Sequence, residues 1–333
     1  MDPVSQGVLG AAFAQTRGAN QTLAKAAAIG AFAGMVPDLD VLIWSSADPL
    51  LALEFHRQFT HSLFFIPIGG LLCSLLLYPL LGRRWQLSYR QILAWCVIGF
   101  ATHGVLDGFT TYGTRLLWPF SDRRFALDII SVVDPMFTVP LLALVVLAAI
   151  TKTRRYLTGA LLWGAIYLSV GYVQHQRAEA MGFKLAEERG HQVLRLEVKP
   201  TIGNLAVWKV VYETDEQFFV DAVKPGLFKP VVWQGDHVRK LDFRRDFPWL
   251  DASSQQVRDI GRFKLASAGY LALDPNDSRR IGDVRYSMLP QKIAPLWGIE
   301  LSPNAGVNDH VAFYTQRDDA RAALKRLIVM MFE

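Results

Sequence analysis

The sequence predicts an α-helical integral membrane bundle of five or six hydrophobic helices, followed by a soluble α+β domain. Three observations carry this. Of the 333 residues, 51% are hydrophobic, above the level of an average soluble chain. Charge is unevenly spread: residues 1–176 hold 12 Lys/Arg and 9 Asp/Glu, whereas residues 177–333 hold 23 and 21. The first part also contains apolar runs of membrane length. The expected organisation is therefore a helical membrane domain over 1–176 and an α+β domain over 177–333.

The elements follow in order. Val4–Ala14 is apolar but short; Asp2 suits its N-cap and Pro3 its first helical position. Lys25–Ile43 carries Asp38 and Asp40 near its far end. Ser62–Leu81 and Gln91–Phe109 are apolar, and the second ends in His103 and Asp107. Ile130–Ile150 and Leu157–Val173 complete the hydrophobic set. An amphipathic helix is expected at about Gln174–Arg189. Strand-like runs follow at Val193–Val198, Ala206–Glu213, Gln217–Ala222 and Pro230–Trp233, punctuated by turn residues. Helices are expected over Ala252–Ala266 and Asp318–Met331.

Three short connectors carry eight Lys/Arg and no acid: Arg17 and Lys25; Arg83, Arg84 and Arg90; Lys152, Arg154 and Arg155. The opposite connectors hold four, Arg57, Arg115, Arg123 and Arg124. The excess of basic residues faces the cytoplasm in such proteins. The other face, and the tail, are expected outside the cytoplasm. On that topology Asp38/Asp40, His56/His61 and His103/Asp107 all arrive at the same face.

The net charge of +5 divides into +3 and +2 between the two parts, with no basic run interleaved with aromatics. Nucleic acid is not an expected partner. Cys73 and Cys96 each lie in an apolar run and read as buried packing. No basic segment precedes the first apolar run, so a cleavable signal peptide is not expected.

Ionisable side chains at membrane depth are costly and mark function. His103 and Asp107, four apart, share a helix face. They suit one metal ion, or a His–Asp hydrogen bond between helices. His56 and His61 suit a loop entering a helix that Thr60 or Ser62 caps, as ligands or as a polar interfacial loop. Asp38 and Asp40 suit hard or borderline metals, a general base, or a solvated helix end. Arg57 suits an anion. Arg115, Arg123 and Arg124 suit phosphate oxygens or lipid headgroups, among which Tyr112 and Trp118 also belong. Asp128 and Asp134 are expected to pair with these arginines. Gln6 and Gln15 stand about 180° apart on one helix, which leaves Gln6 as the site candidate. His175, His191, His237 and His310 have no ligand spacing and read as surface residues.

Taken together, Met1-Asp-Pro-Val-Ser-Gln-Gly-Val-Leu-Gly-Ala-Ala, Pro37-Asp-Leu-Asp40, Phe55-His-Arg-Gln-Phe-Thr-His-Ser62, His103-Gly-Val-Leu-Asp107 and Trp118-Pro-Phe-Ser-Asp-Arg-Arg-Phe-Ala-Leu-Asp128 resemble a known family. It is that of the membrane-bound, predicted metal-dependent hydrolases of the YdjM/YbcI type. The resemblance covers roughly residues 1–150 and not the tail. The family is related to zinc-dependent phospholipase C and its nuclease relatives, helical enzymes that hold zinc on His and Asp for phosphodiester hydrolysis. The resemblance implies His56, His61, His103 and Asp107 as metal ligands, with Asp38 and Asp40 as ligands or base. This chain has Gln6 where many relatives place His, and Gln15 where some place Glu, which leaves the number of ions open.

The expected function is thus a membrane metallohydrolase using a divalent metal, zinc above others. Asp38 or Asp40 would activate water, and Arg57 and Arg115 would stabilise developing negative charge. A site at the membrane face favours a lipid or lipid-linked substrate. The expected location is a bacterial inner membrane, with the site and tail extracytoplasmic. The alternative is a non-enzymatic membrane protein with a structural, regulatory or metal-binding and transport role. A transporter calls for internal pseudo-symmetry or helices broken at mid-membrane, and the pattern has neither.

Overall fold

A computed structural model describes residues 1–226, 229–317 and 319–333. The first helix, α1 (Pro3–Gln15), starts as its sequence dictates. The Asp2 carboxylate accepts from the Val4 and Ser5 amides, and Pro3 takes the first helical position. Next comes α2 (Leu23–Met35), which tightens into a 3-10 turn over Val36–Leu42. After the one-turn α3 (Leu51–Phe55), α4 (Ile66–Leu77) continues through a wider turn into α5 (Arg83–Trp85). A reciprocal Ser88/Gln91 capping box opens α6 (Tyr89–Gly108). Asp134 caps α7 (Pro135–Thr151) and accepts from the Tyr167 hydroxyl at 2.8 Å. That corrects the expected pairing of Asp134 with arginine: the carboxylate is committed to a helix cap and a phenol.

Small residues let three of these backbones approach closely. A Cβ on Gly10 of α1 would sit 2.5 Å from the Gly30 carbonyl oxygen of α2, and one on Gly99 of α6 would sit 2.4 Å from the same oxygen. This packing sets α6 against the N-terminal pair and brings the start of α1 to the ends of α2 and α6. Cys73 and Cys96 are buried free thiols in the neighbouring core.

Among the described residues, two helices are long and apolar enough to cross a membrane: the run Leu63–Trp85, of 23 residues, and α8 (Arg154–Glu188), of 35. The sequence predicts five or six. At 13 residues each, α1 and α2 are too short to span about 30 Å of hydrocarbon alone. Helix α7 is apolar but has 17 residues. Helix α8 also merges two expected helices, Leu157–Val173 and Gln174–Arg189. No Pro or cap interrupts the seam, so the helix propagates through it.

The chain divides into two compact units. One holds Met1–Ile43, Phe55–Tyr172 and Ile202–Asn204; the other holds Trp44–Glu54, Val173–Thr201 and Leu205–Glu333. The second unit carries two antiparallel sheets. In the first, β1 (Arg195–Pro200), β2 (Trp208–Glu213), β3 (Gln217–Lys224) and β4 (Val231–Trp233) lie in that order, and β5 (His237–Arg239) also pairs with β3. After α9 (Phe243–Asp246) and α10 (Gln255–Ala266), the second sheet runs β6 (Leu271–Asp274), β7 (Asp277–Asp283), β8 (Trp297–Glu300) and β9 (Ala312–Thr315). Phe218 and Val220 of the first sheet pack with Tyr270, Ala272 and Val284 of the second region. The chain ends in α11 (Ala320–Phe332). The expected start of that helix, Asp318, lies outside the described residues.

One buried charge in this unit has a measurable consequence. The Lys209 ammonium donates to the Ser287 hydroxyl at 2.6 Å and the Lys292 carbonyl at 2.8 Å. Burial pushes its pKa down from 10.5 to about 7. Between those values the unfolded chain binds a proton that the fold does not, so stability rises with pH over that window. The thermal midpoint of the second unit is expected to climb from pH 7 to pH 9, and Lys209→Met is expected to flatten that climb. A midpoint with the same pH slope in both proteins would contradict it.

Candidate metal centre

The 3-10 turn after α2 delivers Asp38 and Asp40. The tight turn Phe59–His61 delivers His61, and the last turns of α6 deliver His103 and Asp107. Asp40, His61, His103 and Asp107 are buried. The His61 and His103 Nε2 atoms stand 2.9 Å apart. Asp38 Oδ1 lies 3.4 Å from His61 Nε2 and 3.2 Å from His103 Nε2. Asp107 Oδ2 lies 3.4 Å from the former and 4.0 Å from the latter. Ligand atoms around a tetrahedral ion with bonds of about 2.0–2.1 Å stand about 3.3–3.4 Å apart. The five separations run from 2.9 to 4.0 Å and bracket that spacing.

The hydrogen-bond network fixes the tautomers. His103 Nδ1 meets the Gly34 carbonyl at 2.6 Å, and a carbonyl only accepts, so Nδ1 carries the proton. Thr60 donates to Asp40 Oδ2 at 2.9 Å, so its oxygen accepts from His61 Nδ1, also at 2.9 Å. In the neutral rings both Nε2 atoms then present lone pairs to each other, with two carboxylate oxygens alongside. Such an array repels itself unless a metal ion lies within it or a proton lets one Nε2 donate to the other. Asp107 Oδ2 has no hydrogen-bond donor either. The donor set fits a zinc-type ion.

Asp40 stands one step back. Its Oδ1 accepts from His56 Nδ1 at 2.7 Å, and its Oδ2 accepts from the Arg57 amide at 3.0 Å and from Thr60. It thereby orients two imidazoles at once, a common arrangement around metal-binding histidines. His56 is one-third exposed and groups with Asp38 and Asp40 as a second possible ligand set, apart from His103 and Asp107.

Arg57 is buried beside the cluster in a left-handed conformation, φ +64°. A non-glycine residue held there costs about 1–2 kcal/mol. Its amide donates to Asp40, its carbonyl accepts from the Arg115 amide at 3.1 Å, and its Nη1 donates to Thr110 at 3.2 Å. Its Nε lies 3.1 Å from Asp107 Oδ2 as an ion pair, off the line a hydrogen bond requires. The Arg115 side chain pairs with Asp122 instead of entering the cluster.

Asp107 Oδ1 takes the Met1 amino group and the Gln6 amide, the latter at 2.9 Å. Gln15 turns away and donates to the Val145 carbonyl at 3.2 Å. Sequence reasoning missed Gly104, whose Cβ position lies 2.1 Å from the His61 carbonyl oxygen. Its place directly after His103 is the signal that marks it. It also missed the Gly34 carbonyl, for which no side-chain pattern exists.

Residues 1–178 match the family model described as YdjM inner membrane protein. Inner membrane protein YbcI of Escherichia coli (strain K12) is 37% identical over 102 residues, which is 29% of this chain and 54% of that protein. Uncharacterized protein YfhP of Bacillus subtilis (strain 168) is 24% identical over 206 residues, 61% of this chain and 60% of that protein. The chain thus spans between half and two-thirds of the length of these relatives. No solved structure matches it. The family match covers every residue of the cluster, and the chain belongs to the YdjM family of inner membrane proteins.

Proposed function

We propose that this protein is a membrane-embedded, metal-dependent hydrolase acting on a phosphodiester or other ester of a lipid or lipid-linked substrate. The facing lone pairs of His61 and His103, flanked by Asp38 and Asp107, carry this reading. These four residues would hold the metal, a zinc-type ion, with His56 and Asp40 beside them. When bound, such an ion polarises an ester or phosphoryl oxygen and brings water within reach of deprotonation near neutral pH.

The chain's own residues do the rest. Asp38 alone of the four has its side chain open to solvent, at 18%. It would orient an entering water or take its proton. Asp40 holds both imidazoles in their tautomers. Arg57 balances Asp107, and Arg115, whose partner Asp122 is exposed, supplies a guanidinium that can exchange to an anionic oxygen.

Exposed Leu39, Val41 and Leu42 alternate with the site's carboxylates, which supports an acyl-bearing substrate. The helices of the first unit would form a bundle of five or six, in which the shorter ones pack against the two spanning lengths. The basic connectors would face the cytoplasm of a bacterial inner membrane, and the site and residues 177–333 would lie outside it.

The test is turnover of phospholipid and of a chromogenic phosphodiester by detergent-purified protein. Activity is expected to vanish with chelator, to return with zinc, and to be absent in His103→Ala at unchanged expression. Metal-loaded protein inert on both substrates would point to a structural, regulatory or transport role.

A further inference from the structure

We propose that Arg262 is a positioning residue for the metal centre, because it grips the connector that ties Asp40 to His56. This rests on the metal-centre reading above. The eleven residues Trp44–Glu54 join those two site residues, yet they fold as part of the second unit. All five guanidinium N–H groups of Arg262 are engaged. Nε donates to Glu54 at 2.6 Å and Nη2 to its other oxygen at 3.0 Å. Nη1 and Nη2 donate to the two oxygens of Asp48 at 2.9 and 2.8 Å. Nη1 also donates to Asp259 at 3.0 Å, on the same helix α10. Two bidentate forks on two connector residues fix position and orientation in a way that a lysine ammonium does not.

Between the two forks, Leu50 is fully buried with Phe247, Ile260, Phe263 and Leu271. The connector is thus anchored at three points: Asp48, Leu50 and Glu54. Glu54 is two residues from His56, and Asp40 is three residues before Ile43, the last residue of its own unit in that stretch. Asp40 must meet His56 Nδ1, the Arg57 amide and Thr60 together to hold the His61 tautomer. A loose connector leaves that meeting to chance closure of a flexible loop, whereas an anchored one makes it in advance. The family match ends at residue 178, so this chain holds a site connector with a residue that lies outside the matched region.

The experiment is a titration of the full-length, detergent-purified protein with Co²⁺, followed by its visible absorption, and with Zn²⁺ by competition. Arg262→Met is expected to raise both dissociation constants about tenfold and to change the Co²⁺ band shape, as loss of a supporting contact typically does. Arg262→Lys is expected to fall between. Arg280→Met breaks a comparable ion pair with Glu300 in the same unit, away from the connector, and is expected to leave the constants unchanged. Should Arg262→Met fail to fold, Glu54→Gln removes one fork and is expected to weaken binding in the same direction. Unchanged affinity and band shape with a lowered thermal midpoint would overturn the proposal, since Arg262 would then only stabilise its own unit. No binding by the wild type would overturn the metal-centre reading itself.

Discussion

Replacing His61 and His103 together by alanine is expected to take bound metal from stoichiometric to none. Metal content of detergent-purified protein, by mass spectrometry after incubation with excess zinc, checks it. The two rings supply both neutral ligands, and their Nε2 atoms define the shortest edge of the ligand set, at 2.9 Å. What is left of that set, Asp38 and Asp107, is two carboxylates with an arginine beside one of them, and in the second grouping, Asp38 with Asp40 and His56, the Asp40 oxygens are committed to His56 Nδ1, the Arg57 amide and Thr60. Two oxygen ligands next to a guanidinium hold a zinc-type ion far more weakly than a set with two imidazoles. The fold is expected to survive. His103 loses one hydrogen bond to the Gly34 carbonyl and His61 loses one to Thr60, each worth about 0.5–1.5 kcal/mol net.

The same reasoning separates these histidines from Asp107. Asp107→Ala would strand the buried Arg57 guanidinium, and an uncompensated buried charge costs about 3–5 kcal/mol. Loss of metal in that variant would therefore be mixed with loss of fold. A double-histidine variant that retains stoichiometric zinc would place the ion elsewhere and end the present assignment.

Much of the cluster is legible in the sequence because its parts are short and local. His103 and Asp107 share a helix face by spacing alone, and Asp2 with Pro3 announces α1. The division of labour among the acids is not legible. Asp38 and Asp40 are chemically alike and two residues apart; only the folded 3-10 turn points one at the ligand set and the other at the backs of the histidines. Arg57 likewise reads as an anion contact, and only a left-handed backbone turns it inward to Asp107. The second sheet is hidden for a different reason. Strand β7, Asp-Ser-Arg-Arg-Ile-Gly-Asp, is polar by composition and is held by cross-strand pairs such as Arg280 with Glu300, which come from 20 residues away. The membership of Trp44–Glu54 in the second unit is equally non-local, since it depends on Arg262, more than 200 residues downstream.

Gly104→Ala is expected to damage the centre without touching a ligand. A methyl group there would lie 2.1 Å from the His61 carbonyl oxygen, a backbone atom that cannot swing aside. Either α6 or the Phe59–His61 turn must shift, and His103 rides on the first while His61 rides on the second. The two Nε2 atoms then separate or rotate off their common target. Metal affinity is expected to fall about 10–100-fold, the range seen when supports of metal ligands are removed. Overpacking itself is expected to cost about 1–3 kcal/mol of stability. Gly108→Ala, one turn further along the same helix, is the internal comparison. Its Cβ would meet only the flexible Leu116 side chain at 3.4 Å, an ordinary contact. Zinc affinity that drops in Gly104→Ala and holds in Gly108→Ala would tie the effect to the distance between the turn and the helix. Equal affinity in both would show that the His61 turn yields without moving its ring, and that the close approach at Gly104 serves packing alone.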